Sequence, residues 1–475
     1  MKKLITTLSF LSCLNIIYAQ GTQNPVWTLP HKSAGSGYYN HNLDTYRPFP
    51  TVDPVTLVPY SDVIGTDGGY TPTSEEFSYW GASNGYVDLN DELLFFIIGD
   101  NIFDRDGRTI WGDFVDFGID NKISSGYSDI CVVPNPGNCN QYYLFSTRET
   151  EVGQVPINPI SYANDHTRTE AYYAILDISV QNDGAGYNDC AKGRLIQPWQ
   201  SLVTFAGLGH SPSNKLPHTS FAASPEELDG SRVIITITNA LNPDPEVDSY
   251  SQLLKFRLDA SGLTFVGSDQ IFDGSNSLSG GNRDYPKRRS ELEMVKMTNG
   301  NFRVATSNQQ QLVVFDLDPV TLEIVPGSEK VKPIVSSSSN FSNKILGLEL
   351  VDGPIAGELD PRYLYFTCSL IGTVSELTST IGCWDILTNT FVPIPGVPTG
   401  TAATEYQYSH IERDETGDLY LAINDRLSRI TGPDVPSTSS FTSTVIPLYY
   451  PANNFEWNEI FPPVQTKHSL SELEE

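Results

Sequence analysis

An all-β repeat fold, a β-propeller of six to seven antiparallel blades, is what this sequence predicts. Three observations predict it. Amphipathic helical periodicity is almost absent from the 475 residues. Apolar residues come instead in runs of about four to eight, rich in Val, Ile, Leu, Phe and Tyr and bounded by Gly, Asn, Asp, Pro and Ser. Those runs recur in groups roughly every 50 to 60 residues.

The groups follow one another along the chain. Glu92 to Ile98 precedes the turn Asp104-Arg105-Asp106-Gly107 and the short run at Thr109 to Trp111. Ile130 to Val133 precedes Tyr142 to Ser146 and Ala171 to Asp177, and Arg232 to Ile237 precedes Leu253 to Asp259 and Leu263 to Val266. Three further groups open at Leu292, Leu348 and Ser409. Each of these runs through a Gly-bearing turn (Asn299-Gly300, Asp352-Gly353, Thr416-Gly417) into an aromatic-rich strand and then an apolar strand. Several third strands end in Asp. Such a meander cannot bury both of its faces alone, so copies must stack, and radial stacking of four-stranded sheets gives a propeller. Tandem β-sandwiches, whose strands are also short and evenly spaced, are the alternative. The repeated turn-then-aromatic order favours the propeller.

The ends read differently. Lys2 and Lys3, the apolar stretch Leu4 to Ile17 and the small residue Ala19 form the three-part pattern of a secretory signal peptide over 1–19. Residues 20–78 are a Tyr-, Gly- and Pro-rich segment expected to give a closing strand or rim loops. The propeller is assigned to 79–464 and a polar tail to 465–475. Outside the signal, no stretch approaches the roughly 20 apolar residues of a spanning helix, so none is expected once the signal is removed.

Charge narrows the partners. With 29 Lys and Arg against 57 Asp and Glu, the net charge is −28, and a surface of that sign repels nucleic acid. The short basic cluster Lys287-Arg288-Arg289 is followed at once by Glu291 and Glu293. An acidic exported protein is expected to meet envelope or extracellular protein or glycan. Tyr38, Tyr39, Tyr46, Tyr60, Tyr70 and Tyr79 supply loop material suited to adaptable contacts. Two disulfides are expected in an oxidising compartment: Cys131 with Cys139 across the turn at Pro134 to Gly137, and Cys368 with Cys383 on successive apolar runs.

Residues 92–196 resemble the propeller-bearing region of secreted, gliding-motility-associated proteins of gliding bacteria. The strand Asp91-Glu92-Leu93-Leu94-Phe95-Phe96, the run Val132-Val133-Pro134-Asn135-Pro136-Gly137 leading to Tyr142-Tyr143-Leu144-Phe145, and Tyr173 to Asp177 before the turn Asp183 to Gly186 carry the resemblance. It implies a propeller at the bacterial exterior and names no reaction.

Candidate chemistry is sparse. His218 and His410 precede apolar strands at comparable repeat positions, where they could face one axial space and hold a metal or substrate. Glu291 and Glu293 flank Leu292 with period-two spacing, which puts both on one side of a strand. These four are the candidate ligand-binding residues, and no catalytic set is assigned. Asp104 to Gly107 and Asp414 to Asp418 space their acids like calcium loops but lack the full ligand register, and read first as hairpin turns. Dinucleotide and phosphate-loop fingerprints are absent. No cofactor is expected, calcium being the one ion this acidic chain could take up. The reading is a non-enzymatic binding or scaffold module, with a polysaccharide hydrolase or lyase as the competing class.

Overall fold

The computed structural model describes residues 26–31, 35–40, 45–48, 83–88, 92–98, 101–111, 130–150, 168–181, 191–208, 221–239, 251–272, 291–308, 311–334, 344–353, 360–369, 379–399, 410–414, 416–423 and 426–447. The signal segment, the polar tail, Cys190 and His218 lie outside them. A three-stranded antiparallel sheet comes first, β1 (Val26–His31), β2 (Gly35–Asn40) and β3 (Thr45–Pro48). Six four-stranded antiparallel sheets follow.

Sheet one is β4 (Ser83–Val87), β5 (Leu93–Ile98), β6 (Asn101–Asp104) and β7 (Thr109–Trp111). Sheet two is β8 (Cys131–Asn135), β9 (Asn138–Thr150), β10 (Arg168–Gln181) and β11 (Lys192–Ser201), followed by the single turn of helix α1 (Leu202–Phe205). Sheet three is β12 (Phe221–Ala223), β13 (Arg232–Asn239), β14 (Ser251–Asp259) and β15 (Gly262–Phe272). Sheet four is β16 (Leu292–Lys296), β17 (Phe302–Asn308), β18 (Gln311–Leu317) and β19 (Lys330–Pro333). Sheet five is β20 (Lys344–Asp352), β21 (Pro361–Ser369), β22 (Ile381–Asp385) and β23 (Thr390–Phe391). Sheet six is β24 (His410–Arg413), β25 (Leu419–Ile423), β26 (Arg426–Thr431) and β27 (Ser440–Pro447). Every sheet is a simple meander in chain order.

Burial separates a propeller from tandem sandwiches. In a sandwich each sheet has one dry face, whereas sheets two to five bury both. Tyr142 and Leu144 pack back against Phe95 and Ile97 of sheet one, while Tyr143 and Phe145 pack forward against Ile234 and Phe256 of sheet three. Ile235 and Leu253 meet Val304 and Phe315 of sheet four, and Val314 and Ala305 meet Leu364 and Phe366 of sheet five. Tyr365 and Cys383 then meet Ile411 and Leu421 of sheet six. Consecutive residues thus serve opposite cores, which is why the middle strands read as unbroken apolar runs. The first strands also touch in sequence, β8 with β12, β12 with β16, β16 with β20 and β20 with β24. Face-to-face stacking with first strands gathered on one side is radial stacking, and the fold is a β-propeller. The N-terminal sheet joins it through β1 against β4, the same first-strand contact that links consecutive blades.

The hairpins keep the turn chemistry that the sequence predicts. Asp104, Met297 and Asp414 each receive a backbone bond from the glycine three residues on, at Gly107, Gly300 and Gly417. Those glycines hold φ of 84°, 87° and 89°, a region that costs L-residues a clash at Cβ. Asp104 Oδ1 accepts the N–H groups of Asp106 and Arg108, and Asp414 Oδ1 accepts that of Asp418. Asp414 spends both oxygens within its turn, whereas Asp104 Oδ2 accepts the backbone N–H of Lys192 in sheet two at 2.9 Å.

Third strands ending in Asp have a structural reason. Arg303 of β17 donates to Asp316 Oδ1 at 2.9 Å, and Arg362 of β21 donates to Asp385 Oδ2 at 2.8 Å. Burial alone would raise the Asp385 pKa, but hydrogen bonds from Arg362 and Thr388 outweigh it and hold the carboxyl below its ordinary value. Its stabilising effect is therefore complete above the unfolded value of about 4 and is lost as pH falls through the lower folded value. Asp385→Asn is expected to cost about 1–2 kcal/mol at pH 7 and to lose less stability than the parent below pH 4. Urea midpoints at pH 7 and pH 3 check both.

The disulfide expectation is corrected. Cys131, Cys139, Cys368 and Cys383 are free thiols. Cys131 stands opposite Phe145 in the β8–β9 ladder, so Cys139 is six residues away along β9, about 20 Å of strand. Cys368 and Cys383 occupy adjacent strands but opposite faces, the first in the core against sheet four and the second in the core against sheet six. Spacing brought the strands together, but strand parity sent the sulfurs apart. Burial pushes the Cys368 thiol up to about 12.

Candidate functional site

The first strands of sheets four, five and six carry the same pair: Leu292-Glu293, Leu348-Glu349, Ile411-Glu412. In each pair the apolar residue enters an inter-blade core, at Leu292, Leu348 and Ile411. Period two then turns the glutamate to the other face. Their ladder partners are Ala305, Tyr365 and Tyr420, the same step in each blade. Glu291, Glu293, Glu349 and Glu412 are at most 4% exposed.

Three of these acids converge. One carboxylate oxygen each from Glu291, Glu293 and Glu412 lies within 4.8 Å of the others. Glu291 and Glu293 are therefore brought together as their spacing predicts, and Glu412 reaches them from two blades away. Glu291 Oε2 also accepts the backbone N–H of Leu348, which ties sheet four to the first strand of sheet five. Nearby, the Gly347 N–H donates to Thr367 Oγ1 at 2.9 Å.

Carboxylates this close repel by on the order of 3 kcal/mol per charged pair at an effective dielectric of about 20. The cluster is stable only with protons or positive charge among its oxygens. Three oxygen donors of this kind suit a hard divalent cation rather than zinc or copper. They suit glycoside hydrolysis less well. Paired catalytic carboxylates stand about 5–5.5 Å apart in retaining enzymes and 6.5–9.5 Å in inverting ones, beside a sugar-sized opening.

The other candidates fare differently. His410 is the first residue of β24, two before Glu412, and its side chain lies outside the described residues, as does the whole of His218. Glu349 and Glu412 were not singled out from the sequence. The signal that finds them is the aligned apolar-Glu pair at the head of three successive groups.

No protein-family model and no curated protein matches the sequence. Solved structures do resemble it. A protein from Lactobacillus plantarum is 10% identical with a TM-score of 0.42, over 90% of this chain and 97% of that one. The Dos1 propeller is 9% identical with a TM-score of 0.40, over 92% and 89%. The exo-β-1,3-galactanase of Phanerochaete chrysosporium, solved with galactose, is 10% identical with a TM-score of 0.33, over 72% and 63%. Scores of this size carry no functional weight, and the fold assignment rests on strand order and the inter-blade cores. Among the described residues no helix is long and apolar enough to cross a membrane.

Proposed function

We propose that this chain is an exported propeller of the bacterial exterior that binds a protein or glycan through its loops and does not turn it over. One observation carries the reading: the acids that converge are buried, and Glu291 is committed to a backbone N–H of the next blade. Groups so placed hold blades together; a polymer cannot reach them without the blades parting. The net charge of −28 supports a solvated extracellular setting, and the resemblance over 92–196 supports an address at the bacterial exterior, secreted or on the cell surface.

The convergence of three carboxylates is what favours the second reading, a polysaccharide hydrolase or lyase. A glycan array combined with a polysaccharide-digestion screen of the purified chain separates the two. Binding without product is the expected result. Oligosaccharide release abolished by Glu293→Gln, His218→Ala or His410→Ala would overturn it. Absence of any sugar response directs the search to protein partners, by cross-linking in envelope fractions.

A further inference from the structure

We propose that Glu291, Glu293 and Glu412, together with the Ser307 hydroxyl, form a calcium site that clasps the first strand of sheet six to that of sheet four. The cluster supplies the charge, and Ser307 supplies an independent sign of a ligand. In the β16–β17 ladder Leu292 faces Thr306 and Glu293 faces Ala305. Ser307 is one step further on, beside Glu291. Alternation turns its side chain to the face from which Glu291 and Glu293 project. Ser307 is 1% exposed, and its Oγ has no hydrogen-bond partner among the described residues. A buried hydroxyl left in that state is costly unless something accepts its proton or takes its lone pair. A cation among the neighbouring carboxylates takes the lone pair.

Size selects calcium. Ca–O bonds of about 2.3–2.6 Å let two donors stand about 4.6–5.2 Å apart across the ion. The three glutamate oxygens, all within 4.8 Å of one another, fall inside that span without rearrangement. Magnesium draws its donors in to about 2.1 Å and keeps several waters, which a set this buried does not favour. The ion would also offset the repulsion among the carboxylates. It would join β16 and β24, which belong to different sheets and share no ladder. The site is thus a structural clasp, and it stands whether or not the loops bind a glycan.

The test uses the purified full chain. Metal analysis after desalting is expected to find one calcium per chain. After stripping with chelator, calcium at about a hundredfold over its Kd should raise Tm by about 3–5 °C. Glu293→Gln and Glu412→Gln should each weaken calcium binding by at least about tenfold in titration calorimetry. Ser307→Ala should weaken it less but in the same direction. In chelator, Glu412→Gln should melt no lower than the parent, because it removes a repelling charge. That result also shows that the variant folds. The proposal is overturned by weak, multi-site calcium binding that the variants leave unchanged, which is what an acidic surface alone would give. It is equally overturned if Glu412→Gln lowers Tm as much in chelator as in calcium, since the cluster would then be neutralised by protons or side-chain cations. An equal Tm shift from magnesium would overturn the choice of ion.

Discussion

Replacing Trp384 with alanine is expected to lower the unfolding free energy by about 3–5 kcal/mol, the range for emptying a large aromatic site in a core. Trp384 is wholly buried on β22, opposite Leu364 in one ladder and Phe391 in the other. It belongs to the core between sheets four and five, with Leu312, Val314, Leu350 and Phe366. Leu312, Val314 and Phe366 are strand residues held on two ladders, so the surroundings can collapse little into the space. The indole also donates its Nε1–H to Asn389 Oδ1 at 3.1 Å, and Asn389 holds a positive φ of 57° in the β22–β23 turn. Trp384→Phe keeps most of the volume but loses that bond and leaves a smaller void, so it should cost about 1–2 kcal/mol. Urea unfolding of the three proteins checks both figures. A loss under 1 kcal/mol for the alanine variant would mean that this core does not bear on the cooperative unit.

How much of this was legible in the sequence depended on which force fixed each feature. The middle strands were plain, because consecutive residues from Phe95 to Ile97 and from Leu312 to Phe315 are buried and read as continuous apolar runs. The outermost strands were not. Lys330–Pro333 is mostly exposed and charged, with Lys330 and Lys332 donating to the carbonyls of Ile386 and Asn389 in the next blade, so it carries no apolar pattern. The sheet Val26 to Pro48 was expected only as a closing strand or rim loops, since its Gly, Pro and Tyr content hides any alternation. The pairing of Glu291 with Glu293 followed from period two. Glu412 did not, because only the stacking of blades brings it there, and stacking has no local signature. Cys368 and Cys383 show the opposite failure, since their neighbouring strands were inferred correctly while the faces were left out.

The same parity argument gives the second large effect, at Gly382. Its backbone is extended and φ is unremarkable, so a glycine here is not required by conformation. Propensity alone predicts that alanine would stabilise the strand by about 0.5–1 kcal/mol. Packing reverses the sign. Gly382 faces Phe366 across the β21–β22 ladder, and the ring lies over it: an added Cβ would sit 2.2 Å from Phe366 Cζ and within 2.8 Å of both Cε atoms. Phe366 is itself wholly buried, with Phe391 at 5.7 Å between ring centroids and Trp384 in the same core. The ring cannot swing aside without displacing them. Gly382→Ala is therefore expected to destabilise by about 2–3 kcal/mol through overpacking. Combined with Phe366→Leu, which withdraws the ring, the same substitution should become neutral or slightly stabilising, leaving a coupling energy of about 2–3 kcal/mol in the double-mutant cycle. Stabilisation by Gly382→Ala in the parent would show that local propensity outweighs the ring, and that the contact between β21 and β22 is looser than the ladder requires.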